Sequence, residues 1–188
     1  MKTALLIIDM QQAILTGLAK GDRQSVIDAR LDDVATRLGR LKQAAETSGV
    51  PVILVQHDGD PGHRLETGSG GWQFRREVAP AGETIVVHKQ SCDAFHDTNL
   101  GDRLKQLGID HLVIGGCMTQ FCVDTTTRRA VSEGFDVTLV QDGHATADFG
   151  TLSADQIVDH HNALLSGFDA GSKSVGLKSA QEIDFLQG

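Results

Sequence analysis

GGCMTQFCVDTTTRRA, Gly115 to Ala130, decides the fold. Its two glycines follow the apolar run HLVI, and Val123, Thr126 and Ala130 then recur as one face of a helix. A strand therefore ends where a helix begins. Cys122 falls in the first turn of that helix, where unpaired backbone N–H groups and the positive end of the helix dipole favour an anion. A thiol in that position is expected to ionise more easily than a free one. A cysteine can equally be a small buried hydrophobe, so the stretch alone does not establish chemistry.

Length and composition bound the surroundings of this element. The chain has 188 residues, of which 40% are hydrophobic and 22% charged, enough to bury the core of one soluble globular domain over residues 1–188. The formal charge of −8, with lysines and arginines scattered singly or in pairs, argues against nucleic acid and favours small uncharged or cationic partners. Three cysteines without framework spacing, and no signal-peptide pattern at MKTALLIIDM, point to a reducing cytoplasm. No apolar run is long enough to span a membrane. The 21 glycines against 3 prolines suit a protein with many strand-to-helix turns.

Outward from the central stretch, strands and helices alternate. Thr3 to Ile8 is an uninterrupted apolar run, the mark of a strand buried on both faces, and it stops at Asp9. Ser25 to Ser48 has helical apolar spacing and is ended by Gly49 and Pro51. Val52–Val55, Thr84–His88, His111–Ile114 and Asp136–Val140 read as further strands. Asp97–Gly108, Gln120–Gly134 and Ser153–Ser166 read as helices, the last with a cap at Ser153. A sixth strand is expected near Ser174–Leu177, a tail helix from Ser179, and loops over Gln56–Gly82 and QDGHATAD.

This alternation implies an α/β fold with a parallel sheet covered on both faces by right-handed crossovers. Ligands in such sheets bind beyond the carboxyl ends of the strands. Asp9, Lys89 and Cys122 each stand at or just past such an end, in the first, third and fourth strands. A carboxylate, an ammonium and a thiol on one rim are what thiol nucleophilic catalysis requires: a base, a cation to hold the thiolate, and the nucleophile.

Over nearly its whole length the chain resembles the isochorismatase-like cysteine hydrolases, which include the nicotinamidases. The resemblance is carried by ALLIIDMQ (Ala4–Gln11), VVHKQSCDAF (Val86–Phe95) and GCMTQFCVDTTTRRAVSEGFDV (Gly116–Val137), in order and at the right separations. It implies a three-layer α/β/α sandwich with a six-stranded parallel sheet, and an Asp-Lys-Cys triad at Asp9, Lys89 and Cys122. It also implies a non-proline cis peptide between Cys117 and Met118, an oxyanion hole from the N–H groups of Met118 and Cys122, no cofactor, and assembly as a homodimer or homotetramer. The activity implied is hydrolysis of a C–N bond in a small amide or ureide through a thioester. An enol-ether hydrolase releasing pyruvate, and an inactive binding module of the same fold, are the alternatives.

Gln11, His57, Trp72, Phe95 and Thr119 are the candidate substrate contacts. Gln11 would orient Asp9 or the substrate, or else cap a loop. Trp72 would be a pocket wall or a subunit contact, and Phe95 a pocket lining or a core residue. The segment HDGDPGH, His57–His63, does not reproduce the Asp and His spacing with which nicotinamidases hold a metal, so no metal is expected and nicotinamide is disfavoured as substrate. Cys92 and Cys117 read as unreactive, His144 as a solvated loop residue, and His160 and His161 as structural.

Overall fold

The computed structural model describes residues 1–186. Its strands and helices follow the expected alternation: β1 (Thr3–Ile8), α1 (Arg23–Thr47), β2 (Val52–His57), β3 (Ile85–Lys89), α2 (Leu100–Gln106) and β4 (His111–Cys117). After β4 come a π-helical turn (Thr119–Val123), α3 (Asp124–Ser132), β5 (Asp136–Ala145), α4 (Ala154–Leu165), β6 (Asp169–Ala170) and β7 (Lys173–Lys178). The sheet order is β3-β2-β1-β4-β5-β7-β6. All neighbours pair parallel except β6 with β7, which are antiparallel. The expected six parallel strands are therefore present, and the two-residue β6 makes a seventh that the sequence does not announce.

Alternation along β1 divides the core into two layers, because successive side chains of a strand point to opposite faces. Leu6 and Ile8 meet Leu100 and Leu104 of α2 and Ala130 of α3 on one face. Leu5 and Ile7 meet Ile27, Leu31, Leu38 and Ala45 of α1 on the other. The outcome is the three-layer α/β/α arrangement. At α4 the Ser153 hydroxyl accepts from the Gln156 N–H at 3.3 Å, while Gln156 Oε1 accepts from the Ser153 N–H at 2.9 Å, a complete capping box. The expected tail helix is reduced to a 3₁₀ turn at Ala180–Glu182.

Two strands run further than their apolar patterns suggest. β4 continues through Gly115 and Gly116 to Cys117, and β5 through His144 to Ala145, so most of the expected QDGHATAD loop is strand. The extension pairs Gly116 with His144 and Cys117 with Ala145 after a register shift. Glycine is what permits it. Gly116 has φ 134°, and a Cβ there would lie 2.0 Å from the Ile8 carbonyl oxygen.

Gly116→Ala must push β4 away from β1 and is expected to cost about 3 kcal/mol or more. For a chain of this size that lowers the thermal midpoint by roughly 6–12 °C. Calorimetry of the variant checks this, and a midpoint within a degree of the parent's would contradict it.

Candidate active site

The carboxyl ends of β1, β3 and β4 place Asp9, Lys89 and Cys122 together. Asp9 follows the last residue of β1 and takes a left-handed φ of 50°, uncommon outside glycine, with its N–H donating to the Val55 carbonyl at 2.9 Å. Lys89 ends β3, beside His57 of β2. Its Nζ lies 2.7 Å from Asp9 Oδ2 and donates to Cys122 Sγ at 3.2 Å and to the Ser91 carbonyl at 2.8 Å. Cys122 sits in the π-helical turn rather than in a regular helix, where the Phe121 and Val123 N–H groups both donate to the Met118 carbonyl, at 3.1 and 3.2 Å. The cis peptide joins Cys117 to Met118.

Burial sets the electrostatics. Asp9 and Lys89 are 1% and 2% exposed. Neither Asp9 oxygen has a partner in hydrogen-bond geometry, so its contact with Lys89 is an ion pair only. Burial first, and then the charge of Cys122, push the Asp9 carboxyl well above the usual range against the pull of Lys89. Such a carboxylate is ready to accept a proton. Burial opposes the Lys89 ammonium, but Asp9 and Cys122 outweigh it and keep that pKa above the ordinary lysine value.

Cys92, expected to be unreactive, lines the same cavity as Cys122 and interacts with it side chain to side chain. The Cys92 thiol is brought down to about 6, first by its neighbour Cys122 and also by Lys89. Cys122 is held up, first by its neighbour Cys92 and then by burial. The two thiols share one cavity beside a single ammonium, so loss of a proton from one hinders loss from the other. Cys117 is fully buried against Met10, and burial pushes its thiol up, as an inert residue requires.

The rim opens into a cavity of about 360 Å³, whose walls include Asp9, His57, Arg64, Met118, Phe121 and Cys122. His63, Asp148 and Phe149 also border it. His57 is neutral there, brought down to about 4 by burial and by Lys89. A larger opening of about 470 Å³, around Thr3, His111 and Thr138 at the amino ends of the strands, is lined by no cysteine. Among the described residues no group of three or more His, Cys, Asp or Glu side chains is placed to hold a metal ion.

Of the five candidate substrate contacts only His57 lines the cavity. The Gln11 side chain is spent on backbone, donating to the His57 and Trp72 carbonyls at 3.0 and 2.9 Å and accepting from the His57 N–H at 2.9 Å. Trp72 lies over the edge strand β3, donating to Asp58 Oδ1 at 2.7 Å and stacking on His88 with ring centroids 5.9 Å apart. Phe95 packs into the core against Phe135 at 6.0 Å. Thr119 is buried and hydrogen-bonded to His144 Nδ1 at 3.0 Å.

His144 is thus not a solvated loop residue. It is 3% exposed, and its Nε2 lies 3.0 Å from Asn162 Oδ1, while Asn162 Nδ2 donates to the Gln141 carbonyl at 2.9 Å. This chain ties the turn that carries Cys122 to β5 and α4. The His160 and His161 rings meet edge to face at 82° along α4, and His161 Nδ1 lies 2.8 Å from the Ile157 carbonyl. Arg64, Phe121 and Phe149, which border the cavity, carry no sequence signal beyond their position in loops or beside Cys122.

A family model described as isochorismatase domain matches residues 3–168. A streptothricin hydrolase from Streptomyces noursei is 36% identical over 145 residues, covering 77% of this chain and 55% of the relative. With a second such hydrolase covered to 50%, the chain spans about half the length of these relatives. A ureidoacrylate amidohydrolase from Pseudomonas savastanoi pv. phaseolicola is 27% identical over 185 residues, covering 81% of this chain and 75% of that one. Among solved structures, an isochorismatase from Pseudomonas putida KT2440 has a TM-score of 0.84 at 30% identity, covering 96% of this chain and 89% of that one.

Two outcomes follow from these surroundings. Cys92→Ala removes the leading cause that holds Cys122 up, so the rate of Cys122 alkylation by iodoacetamide rises at lower pH than in the parent; an unchanged profile refutes the coupling. Burial lowers His144 from an unfolded value near 6.5 to about 4, so the unfolded chain takes up its proton first and stability falls as pH drops through that window. Thermal midpoints measured from pH 7 to pH 4 should decline less steeply in His144→Gln than in the parent.

Proposed function

The chain belongs to the isochorismatase family, and on that premise we propose that it is a cysteine amidohydrolase cleaving a C–N bond of a small amide or ureide. The observation that carries this reading is the contact of one buried ammonium, Lys89, with both a carboxylate at 2.7 Å and a thiol at 3.2 Å on the wall of a cavity. Relatives named streptothricin hydrolase and ureidoacrylate amidohydrolase support the reaction class.

In this reading Asp9 takes the Cys122 proton as the substrate enters. The raised pKa of Asp9 makes its carboxylate a stronger base toward the thiol than an ordinary aspartate would be. The thiolate attacks the carbonyl carbon, and the N–H groups of Met118 and Cys122 receive the oxyanion, donors of a kind worth about 3 kcal/mol each in other acyl-transfer sites. Collapse breaks the C–N bond, and protonated Asp9 gives its proton to the departing amine. The carboxylate then draws a proton from water, whose oxygen attacks the thioester and releases the acid. Cys122 leaves as the thiolate and recovers the proton from Asp9. Lys89 balances the negative charge throughout, whether it rests on oxygen or sulfur.

Ammonia and pyruvate release from a panel of small amides, ureides and isochorismate tests this reading. Ammonia is expected from the parent enzyme, with a loss of at least about 10³-fold in Cys122→Ala and in Asp9→Asn. Pyruvate release that survives Cys122→Ala would replace this reading with enol-ether hydrolysis.

A further inference from the structure

Arg64 stands at the wall of the cavity with its charge uncompensated. Its Nε donates to the Ile14 carbonyl at 3.0 Å, which fixes the plane of the guanidinium. Nη1 lies 3.4 Å from His63 Nε2, and Nη2 meets only the Met118 thioether, at 3.9 Å. Among the described residues no carboxylate comes within 4.0 Å of it. Other arginines that are partly shielded from solvent are paired: Arg23 with Asp148, Arg75 with Asp32 and Glu77, and Arg128 with Asp124. A guanidinium withdrawn from water without a counter-ion is costly, and a bound anion would remove that cost.

No carboxylate of the cavity wall is free for Arg64, and Cys92, whose thiol is brought down to about 6, is engaged with Cys122 and Lys89. Asp148 gives both oxygens to Arg23, at 2.8 and 2.7 Å, and also accepts from the Ala154 N–H at 2.8 Å. Asp9 is engaged by Lys89. Ile14, Leu65, Phe121 and Phe149 make the remaining walls largely apolar, which strengthens an ion pair formed between them. Met118 contacts Arg64 through its sulfur and bears one of the N–H groups assigned to the oxyanion, so Arg64 and Cys122 flank the same residue. Although the chain as a whole carries −8, the guanidinium at this cavity wall has no carboxylate partner among the described residues.

Building on the amidohydrolase reading, we propose that Arg64 is an anion receptor and that the substrate is a small amide or ureide bearing a carboxylate on the side away from the scissile bond. The fork of Nη1 and Nη2 suits a planar carboxylate, with Nε held by Ile14 to keep it aimed. The apolar walls take the carbon skeleton between the two polar ends. The substrate class is thereby opposite in sign to the uncharged or cationic partners that net charge suggests.

Two alkylating reagents of equal shape and different charge test this on the intact protein. Iodoacetate and iodoacetamide are reacted with the parent, Arg64→Gln and Arg64→Lys, and Cys122 and Cys92 labelling are read separately by peptide mass. The iodoacetate-to-iodoacetamide rate ratio at Cys122 is expected to fall about fivefold or more in Arg64→Gln and to be largely kept in Arg64→Lys. An unchanged ratio in a folded Arg64→Gln overturns the receptor. In parallel, succinamate should raise the thermal midpoint of the parent but not of Arg64→Gln, while the neutral diamide succinamide should affect both alike. That measurement needs no reactive thiol. If Cys122 resists both reagents, the succinamate shift alone decides for or against Arg64, and ammonia release by the parent and Cys122→Ala decides the amidohydrolase reading separately.

Discussion

A lysine ammonium sealed from water is the constraint around which this molecule is arranged. Removing such an ion from solvent costs several kcal/mol unless neighbours restore what water supplied. Here the neighbours are Asp9, Cys122 and the Ser91 carbonyl, each brought in by a different segment. The positive φ of Asp9, the close approach of Gly116 to Ile8 and the π-helical turn at Thr119–Val123 all serve to put those groups within reach of one nitrogen. Hydrogen bonds from the second layer then hold the segments in place. Gln11 fixes the backbone at His57 and Trp72, and Thr119, His144 and Asn162 fasten the cysteine turn to β5 and α4.

The frame of this arrangement is legible in the sequence because it rests on short-range rules. The unbroken apolar run of β1 has the bounds expected of it, Thr3–Ile8, and Ser153 caps the helix it was expected to cap. Asp9, Lys89 and Cys122 stand together because each ends or follows a strand in a parallel sheet, a consequence of topology that needs no knowledge of contacts. What is not legible depends on where a loop returns. HDGDPGH gives no hint that Trp72 will cover β3 while Arg64 faces the cavity.

Polar residues mislead in one consistent direction. His144, Thr119 and Gln11 read as candidates for solvent or substrate, yet each is buried and satisfied by protein partners. Pattern reading takes polarity as a sign of water or ligand, whereas an extended sheet can bury such a group when its hydrogen bonds are met internally. β5 shows the mechanism. Its polar tail, Gln141 to His144, remains a strand because Gly116 lets β4 extend beside it. Cys92 errs the other way, since nothing local shows that the chain beyond β3 will bring it to Cys122.

Because β1, β3 and β4 each contribute one member of the charged trio, the thiol acquires its environment only when the sheet closes. During synthesis Asp9 emerges first and Lys89 much later, and Cys122 follows both, so an incomplete chain holds an ordinary cysteine with neither base nor cation beside it. The same is true of a chain that has opened locally along β3, an edge strand. The charged trio is therefore absent from nascent or damaged molecules and is a property of the folded state alone. The non-local pairing that slows folding in such sheets also sets when the trio is complete.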